Sequence, residues 1–145
     1  MNIKDIIIQT PDVHTDYRGD LWTLWKGAPG QQEFNHDKVS TSIKNVIRGI
    51  HGDFKSFKLV TCLYGELYFV IVDNREHSPT YMQWDSMILD DKNKKQVLLP
   101  PGVGNGFCVL SDHSVFHYKW AYHGEYPDVK DQFTIKWNSL DINIW

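Results

Sequence analysis

Short apolar runs rich in Val, Ile, Tyr, Phe and Trp recur along the whole chain, separated by turn residues such as Pro100-Pro101-Gly102. No window shows a 3.6-residue apolar period of helical length. This spacing is typical of an all-β sandwich or barrel, so we predict one domain over residues 1–145, a jelly roll or related small barrel with helix as a minor component. The predicted strands are Ile3–Ile8, Leu21–Trp25, Val46–Ile50, Leu59–Tyr64, Leu67–Val72, Trp84–Leu89, Val97–Leu99, Gly106–Leu110, Val115–Trp120 and Phe133–Trp137.

Composition narrows the class of partner. Hydrophobic residues make up 41% of the chain, aromatic residues 14%, and the net charge is -3 without a dense run of Lys or Arg. A nucleic-acid or membrane surface normally requires such a basic run. We therefore expect no nucleic-acid partner and no membrane association, and any anionic ligand should be small.

Two features indicate the compartment. Cys62 and Cys108 both lie inside apolar runs and match no CxxC or zinc-ligand spacing, which predicts buried free thiols in a reducing environment. The N-terminal segment contains only a short run of consecutive Ile, from Ile6 to Ile8, too short for a signal sequence or a membrane span. The expected location is the cytoplasm.

A metal site in a small β-barrel of the cupin type needs a closely spaced His pair with a carboxylate and a further His on a later strand. His51 has no second His two residues away, and Asn105 stands where the later ligand would be. One imidazole and one amide do not make the ligand set of a catalytic metal. We predict no metal, and no dinucleotide cofactor because its glycine fingerprint is missing.

Three side chains could instead perform proton transfer. His51 is followed by Lys58 immediately before the next predicted strand, and Tyr118 lies on a late strand, so an imidazole, an ammonium and a phenol could share the barrel interior. Imidazole can remove a proton next to a carbonyl, ammonium can stabilise the enolate, and phenol can return a proton on the opposite face. The alternative for His51 alone is a core histidine with satisfied hydrogen bonds.

Short motifs occur in a defined order along nearly the whole chain. They are Asp16-Tyr17-Arg18-Gly19, Val46-Ile47-Arg48-Gly49-Ile50-His51, Lys58-Leu59-Val60, Gly65-Glu66, Val72-Asp73-Asn74-Arg75, Ser78-Pro79-Thr80, Trp84, Pro100-Pro101-Gly102, Gly106-Phe107, Val109-Leu110-Ser111, Tyr118-Lys119, Trp137-Asn138 and Ile144-Trp145. In this order they resemble the dTDP-4-dehydrorhamnose 3,5-epimerase family of small cupin barrels. No single block is specific, but the ordered set is.

The resemblance implies roles for the candidate residues. His51 takes the place of the general base, Tyr118 that of the general acid, and Lys58 that of the lysine that stabilises the enolate. Arg18 and Arg48 match arginines that hold the diphosphate of a nucleotide sugar, a task suited to a planar guanidinium. The alternative for Arg18 is a salt bridge within its turn.

The same resemblance implies a homodimer. In the family the N-terminal strand, here Ile3–Ile8, pairs with the neighbouring subunit and helps to complete its site. The alternative is a strand packed within its own subunit.

Several positions depart from the family pattern. Asn105 replaces a common His, and Trp137-Asn138 is followed by Ser139 rather than by the Asp that orients the base, with one residue deleted. Without that carboxylate, His51 would be a weaker base and less firmly held in one tautomer.

Further departures concern recognition of the substrate. His36 and Lys38 stand where Gln and Asn usually touch the nucleotide or sugar, and Thr23 replaces a Glu that meets thymine, so the resemblance does not imply thymidine recognition. Asn35 to Lys38, Arg48 to Asp53 and Gly104 to Gly106 look more like a subgroup that epimerises GDP-linked 4-keto heptoses for bacterial capsules.

The expected function is therefore inversion of C3, C5 or both in a nucleotide-linked 4-keto sugar. Two alternatives stay open. One is 3,4-ketoisomerisation of the same sugars by a related cupin, which typically has a His-x-His pair where this chain has His51-Gly52-Asp53. The other is a sugar-binding cupin without catalysis.

Overall fold

The computed structural model describes residues 2–27, 33–122, 132–138 and 145. These residues form twelve β-strands. In chain order the strands are β1 (Ile7–Gln9), β2 (Val13–Asp16), β3 (Gly19–Trp22), β4 (His36–Ile43), β5 (Ile47–Asp53), β6 (Phe57–Tyr64), β7 (Glu66–Asp73), β8 (Trp84–Asp90), β9 (Gln96–Leu99), β10 (Val103–Val109), β11 (His113–Ala121) and β12 (Gln132–Thr134).

Two five-stranded sheets make up the body of the protein. Their strand orders are β1-β9-β6-β11-β4 and β12-β5-β10-β7-β8, and β2 and β3 form a separate hairpin. Every pairing is antiparallel. The main core contains fully buried side chains from both sheets, among them Val60, Phe69 and Val97. This arrangement confirms the predicted all-β fold, a jelly roll of the cupin type.

Each predicted apolar run overlaps a strand of the structure, but β2 and β4 lie outside the predictions. Strand β4 is mostly polar, with Val39 and Ile43 as its only apolar residues, and β2 is exposed along its whole length, so neither forms a continuous apolar run. The predicted Phe133–Trp137 strand ends early, at Thr134, and Trp137 lies in a turn.

The minor helical component that we expected is not present among the described residues, all of whose regular elements are strands. Within that same part of the chain, no helix has the length and apolar character needed to cross a bilayer.

The N-terminal Ile3–Ile8 segment divides between core and surface. Ile3 is buried in the main core, whereas Ile7 and Ile8, on β1, are about half exposed. Strand β1 pairs with β9 of its own chain. Two large apolar side chains therefore remain partly exposed at this edge of the sheet.

Both cysteines are free thiols, as predicted. Cys62 is buried, and burial raises the pKa of its thiol to about 12. The prediction of burial is wrong for Cys108, which is half-buried near the end of β10. The β10 strand alternates faces there, and Cys108 points away from the main core that contains Phe107 and Val109.

Candidate active site

An irregularity in the pairing of β5 with β10 shapes the candidate site. Asn105 lies opposite His51 and Phe107 lies opposite Arg48, so β5 uses three steps where β10 uses two. Gly49 lies within this bulge at φ +95°, a conformation that favours glycine. A Cβ on Gly49 would lie 2.6 Å from the carbonyl oxygen of Asn105. The bulge thus depends on glycine at this position.

The bulge also decides where side chains point. Residues three apart on a regular strand face opposite sides of a sheet. Because β5 contains the extra residue, Arg48 and His51 instead line the same cavity.

This cavity has a volume of about 210 Å³ and is lined by five predicted site residues from four strands. They are Arg48 and His51 on β5, Lys58 on β6, Asn105 on β10 and Tyr118 on β11. Its lining comprises Ser40, Arg48, Gly49, His51, Lys58, Asn105, Gly106, Phe107, Phe116 and Tyr118. An imidazole, an ammonium and a phenol therefore share one space, together with apolar rings that exclude water from part of it.

Among the described residues, His51 has a hydrogen-bond partner at one ring nitrogen. Its Nδ1 lies 3.1 Å from the hydroxyl oxygen of Thr134 on β12. Partial burial, and then the positive charge of Lys58, lower the pKa of His51 below its ordinary value. The ring is therefore neutral at pH 7, and Nε2 is the nitrogen left for a substrate.

Lys58 lies at the start of β6 with its side chain only 16% exposed. Its Nζ is 3.9 Å from Oδ2 of Asp53, whose side chain is 1% exposed. Burial lowers the pKa of Lys58, the Asp53 carboxylate opposes that shift, and the nearby Lys38 adds to it. Asp53 is thus the counter-charge that favours the ammonium form.

Asp53 also shapes the connection that leads to Lys58. Its Oδ1 accepts hydrogen bonds from the backbone N–H groups of Lys55 and Ser56, at 2.8 Å and 2.7 Å. These bonds satisfy the donors of a tight turn between β5 and β6. The same carboxylate therefore sets the turn geometry and faces the lysine.

Tyr118 projects from β11 into the cavity beside two other aromatic side chains. The Nζ of Lys58 lies 5.9 Å from the ring centroid of Tyr118 and 5.8 Å from that of Trp120. Phe116 packs 6.1 Å from the Tyr118 ring, centroid to centroid. The phenol and the ammonium are therefore close neighbours against an aromatic wall.

Arg48 is exposed at the rim of the cavity and is held against β4. Its Nε donates to the hydroxyl of Ser42 at 2.9 Å, and its Nη2 donates to the carbonyl of Thr41 at 3.3 Å. These contacts orient the guanidinium and leave Nη1 with no hydrogen-bond partner among the described residues. An anionic group at the rim could bind there.

His36 and Lys38 lie on β4, four and two residues before Ser40, and therefore share its face of the strand. The Nζ of Lys38 is 5.0 Å from the Trp120 ring centroid, and the His36 ring is 5.7 Å from it. They extend the cavity along β4 rather than line it. Asn105, in contrast, lines the cavity itself.

Arg18 neither lines the cavity nor belongs to the row on β4 that extends it. It lies at the β2–β3 turn with its side chain 75% exposed, and its Nη2 is 2.6 Å from Oδ2 of Asp16. The structure thus contains the turn salt bridge that was the alternative interpretation. A role at a substrate site would need a second subunit.

A larger groove of about 520 Å³ lies between β1 and the β2–β3 hairpin. His14, Trp22, Trp25 and Gln96 contribute to its lining, but none of the predicted site residues does. Within the described ranges, no group of three or more His, Cys, Asp or Glu side chains is placed to hold a metal ion.

Two residues of the site were missed by sequence reasoning. Asp53 follows His51 by two residues, so a shared strand face could have indicated it. Nothing in the sequence pointed to Thr134, because it lies 83 residues from His51 and belongs to no motif.

Comparisons with known proteins agree with this site. Residues 1–145 match the family model described as dTDP-4-dehydrorhamnose 3,5-epimerase. The dTDP-4-dehydrorhamnose 3,5-epimerase of Shigella flexneri is 37% identical over 98% of this chain and 82% of its own length. The crystal structure of the Bacillus anthracis enzyme with TDP and PPi bound has a TM-score of 0.87 and 32% identity, covering 99% of this chain and 86% of that one.

A second solved structure gives the same picture. The dTDP-6-deoxy-D-glucose-3,5-epimerase of Legionella pneumophila, in complex with dTDP-4-keto-L-rhamnose, has a TM-score of 0.85 and 33% identity, covering 94% of this chain and 76% of that one. The chain therefore belongs to the dTDP-4-dehydrorhamnose 3,5-epimerase family and is an epimerase of the isomerase class.

Proposed function

We propose that this protein inverts C3, C5 or both in a nucleotide-linked 4-keto sugar, with His51 as base, Lys58 as stabiliser of the enolate and Tyr118 as acid. The observation that supports this most directly is the convergence of these three side chains on one cavity of about 210 Å³. Family membership supports the substrate class, since relatives act on such sugars by name.

Inversion begins with the removal of a carbon-bound proton from the substrate. Nε2 of neutral His51 takes the proton from the carbon next to the ketone, and the C–H electron pair forms a C=C bond while the carbonyl oxygen becomes an enolate oxygen. The Lys58 ammonium stabilises that charge as it develops. Tyr118 then gives its proton to the opposite face of the same carbon, leaving the phenolate.

His51 now holds the abstracted proton and Tyr118 lacks one. Exchange with solvent restores both groups before the next turnover. The proton that arrives on carbon is therefore derived from solvent, which makes deuterium uptake the direct signature of this mechanism.

Within this class of substrates, we propose that the protein acts on a GDP-linked 4-keto heptose of bacterial capsule biosynthesis. Thr23 stands where family members have a Glu that meets thymine, and His36 and Lys38 form a polar row beyond the cavity. A cationic lysine beside an imidazole suits a different set of acceptors from the usual Gln and Asn. The dTDP-linked 4-keto-6-deoxyhexose is the second candidate.

The test incubates the protein in deuterium oxide with GDP- and dTDP-linked 4-keto sugars and measures deuterium at C3 and C5 by mass spectrometry and NMR. Uptake with inversion on the GDP-heptose is the expected result. Deuterium uptake only on the dTDP-linked hexose would refute the GDP-linked heptose as substrate, while the proposed epimerase activity would stand. Uptake on neither, with tight binding, would favour a sugar-binding cupin, and a moved keto group would favour the 3,4-ketoisomerase.

Replacing Arg48 by Ala is expected to weaken binding of the nucleotide sugar by about 2 kcal/mol, roughly 30-fold in Kd, because a charge-assisted contact to the diphosphate is lost. Arg48→Lys should restore little, since an ammonium cannot present two parallel donors. Titration calorimetry with GDP and with dTDP measures the effect.

Lys92→Ala is the matched control for Arg48, because it removes an exposed cation in the β8–β9 turn, away from the cavity. Its affinity should equal that of the wild type. Equal affinity for Arg48→Ala and wild type would remove Arg48 from the diphosphate site.

We also propose a homodimer in which Arg18 reaches the partner's cavity. The N-terminal edge and the hairpin expose large apolar side chains: Ile7 is 53% exposed, Leu21 72% and Tyr17 97%. A patch of exposed large apolar side chains commonly marks a protein–protein interface. Arg18 lies in the turn of the same hairpin, between β2 and β3, and its side chain is 75% exposed.

Sedimentation is expected to give twice the 17.0 kDa chain mass. Leu21→Glu should shift the protein toward monomer, whereas Ile88→Glu, on the edge strand of the other sheet, should leave the dimer intact. A 17.0 kDa species of the wild type at working concentration would refute the dimer.

Subunit mixing tests the reach of Arg18. Inactive Arg18→Ala and His51→Asn proteins, mixed and allowed to exchange, should regain about a quarter of the wild-type activity, because mixed dimers contain one intact site. No recovery from exchanged subunits would show that Arg18 does not act across the interface.

A further inference from the structure

A histidine that removes a carbon-bound proton through Nε2 must keep its proton on Nδ1. The hydrogen bond that Nδ1 makes normally decides this tautomer and the ring orientation. In this protein the partner of Nδ1 is a hydroxyl, that of Thr134, at 3.1 Å. The contact therefore lies at the position that controls the base.

The β12 strand fixes the location of this hydroxyl. Thr134 lies directly opposite His51 in the antiparallel β12–β5 pair. The following residue continues the pairing, since the N–H of Ile135 donates to the carbonyl of Ile50 at 3.0 Å. Thr134 is thus aligned with His51 by backbone hydrogen bonds rather than by its own side chain.

We propose that Thr134 is the positioning residue for His51, accepting a hydrogen bond from Nδ1–H and so leaving the Nε2 lone pair for the substrate. This assignment rests on the proposed role of His51 as base. In family members, the group expected to orient the base is the carboxylate of the Asp that follows the Trp-Asn pair. In this chain Ser139 occupies that sequence position and lies outside the described residues. Here the neutral hydroxyl of Thr134 takes the orienting role instead.

The direction of the hydrogen bond follows from the proton transfer. When His51 has taken the substrate proton, both of its ring nitrogens are donors. An accepting hydroxyl keeps its hydrogen bond throughout that step, whereas a donating hydroxyl would lose it. Thr134 is exposed, so its own O–H can donate to solvent while the oxygen accepts from the ring.

A neutral partner has a consequence for the pH dependence. A carboxylate beside Nδ1 would stabilise the imidazolium and raise the pKa of His51, and a hydroxyl does so far less. The charged and titratable groups around His51 are Lys58 on β6, Tyr118 on β11, and Arg48 and Asp53 on its own strand. In the described parts of β10 and β12 the only titratable group is Cys108.

Burial and Lys58 lower the pKa of His51. A lowered pKa keeps the imidazole neutral to a lower pH, so the acid limb of kcat/KM should fall below the ordinary histidine value of about 6.5. Replacing Thr134 by Asp should move that limb to higher pH, since the added carboxylate stabilises the protonated ring.

Docking of β12 does not depend on the hydroxyl. The Phe133 ring packs so closely on Gly52 that an added Cβ there would clash with the ring, and it also contacts Phe54 at 5.0 Å between centroids. Thr134→Val keeps the β-branched shape that suits a strand. The variant should fold like the wild type, which thermal unfolding checks.

The experiment compares Thr134→Val, Thr134→Ser and Thr134→Asp with the wild type and with Gln132→Val, a control on the same strand. Solvent-deuterium exchange into a 4-keto nucleotide sugar gives kcat/KM against pH. The ¹⁵N spectrum of His-labelled protein, assigned with His51→Asn, gives the tautomer without any substrate.

The expected results are an Nδ1-protonated ring in the wild type, a roughly 10-fold or larger loss of kcat/KM with a mixed tautomer in Thr134→Val, and near wild-type behaviour in Thr134→Ser and Gln132→Val. Thr134→Asp should shift the acid limb upward.

An Nε2-protonated ring in the wild type, or a Thr134→Val protein with wild-type rate and tautomer, would overturn the assignment. If the wild type exchanges no hydrogens on any 4-keto sugar, the proposed function fails, while the spectrum still decides whether Thr134 sets the tautomer.

Discussion

His51→Asn is expected to abolish solvent-deuterium incorporation at whichever carbon the wild type exchanges. The imidazole lines the cavity and its lowered pKa keeps it neutral at pH 7, so it can accept a carbon-bound proton. An amide of similar size cannot. Loss of general-base catalysis should reduce the exchange rate roughly 10²- to 10⁴-fold, measured by NMR in deuterium oxide.

His113→Asn is the matched control, because this exposed histidine at the start of β11 lies outside the cavity. It should exchange at the wild-type rate. If His51→Asn exchanges as fast as the wild type, the base has been assigned to the wrong residue.

The second large effect is expected for Lys58→Met. Without the ammonium, negative charge on the ketone oxygen is no longer stabilised as it develops, and the rate should fall about 10²- to 10³-fold. Washout of the original hydrogen and inversion should slow equally, since both pass through the same enolate. Single-turnover analysis in deuterium oxide measures both rates.

Tyr118→Phe provides the contrast. Loss of the phenol removes only the proton donor of the opposite face, so inversion should slow more than washout. Equal slowing of the two rates in Tyr118→Phe, or unequal slowing in Lys58→Met, would contradict the roles assigned to these residues.

A structural effect of Lys58→Met is separable from the chemical one. The substitution leaves the buried Asp53 carboxylate without its counter-charge, which should destabilise the fold. Adding Asp53→Asn should restore thermal stability but not the exchange rate. Recovery of the rate in the double variant would show that Lys58 acts through stability alone.

Much of the site was predictable because its reactive side chains lie on, or directly beside, short apolar runs that are recognisable in the sequence. The alternation of apolar runs and turn residues indicated an all-β fold, since a strand that buries one or both faces needs that pattern. His51, Lys58, Tyr118 and Asn105 each lie on such a run or at its edge, so a jelly roll was expected to bring them inward, and they share the cavity.

The sequence pattern missed β4 because this strand contains no apolar run. Strand β4 is rich in polar residues because its inward face borders the cavity rather than the core, as His36, Lys38 and Ser40 show. Apolar periodicity detects core-facing strands and overlooks those that line a polar site.

The amino-acid sequence by itself determined the β architecture, the family and the three groups proposed for proton transfer. Only the tertiary structure decided how they are arranged. The bulge at Gly49 turns Arg48 and His51 toward one cavity against the two-residue period of a strand, and this depends on pairing with β10. Thr134 meets His51 across 83 residues because β12 pairs with β5, a long-range contact that no local pattern specifies.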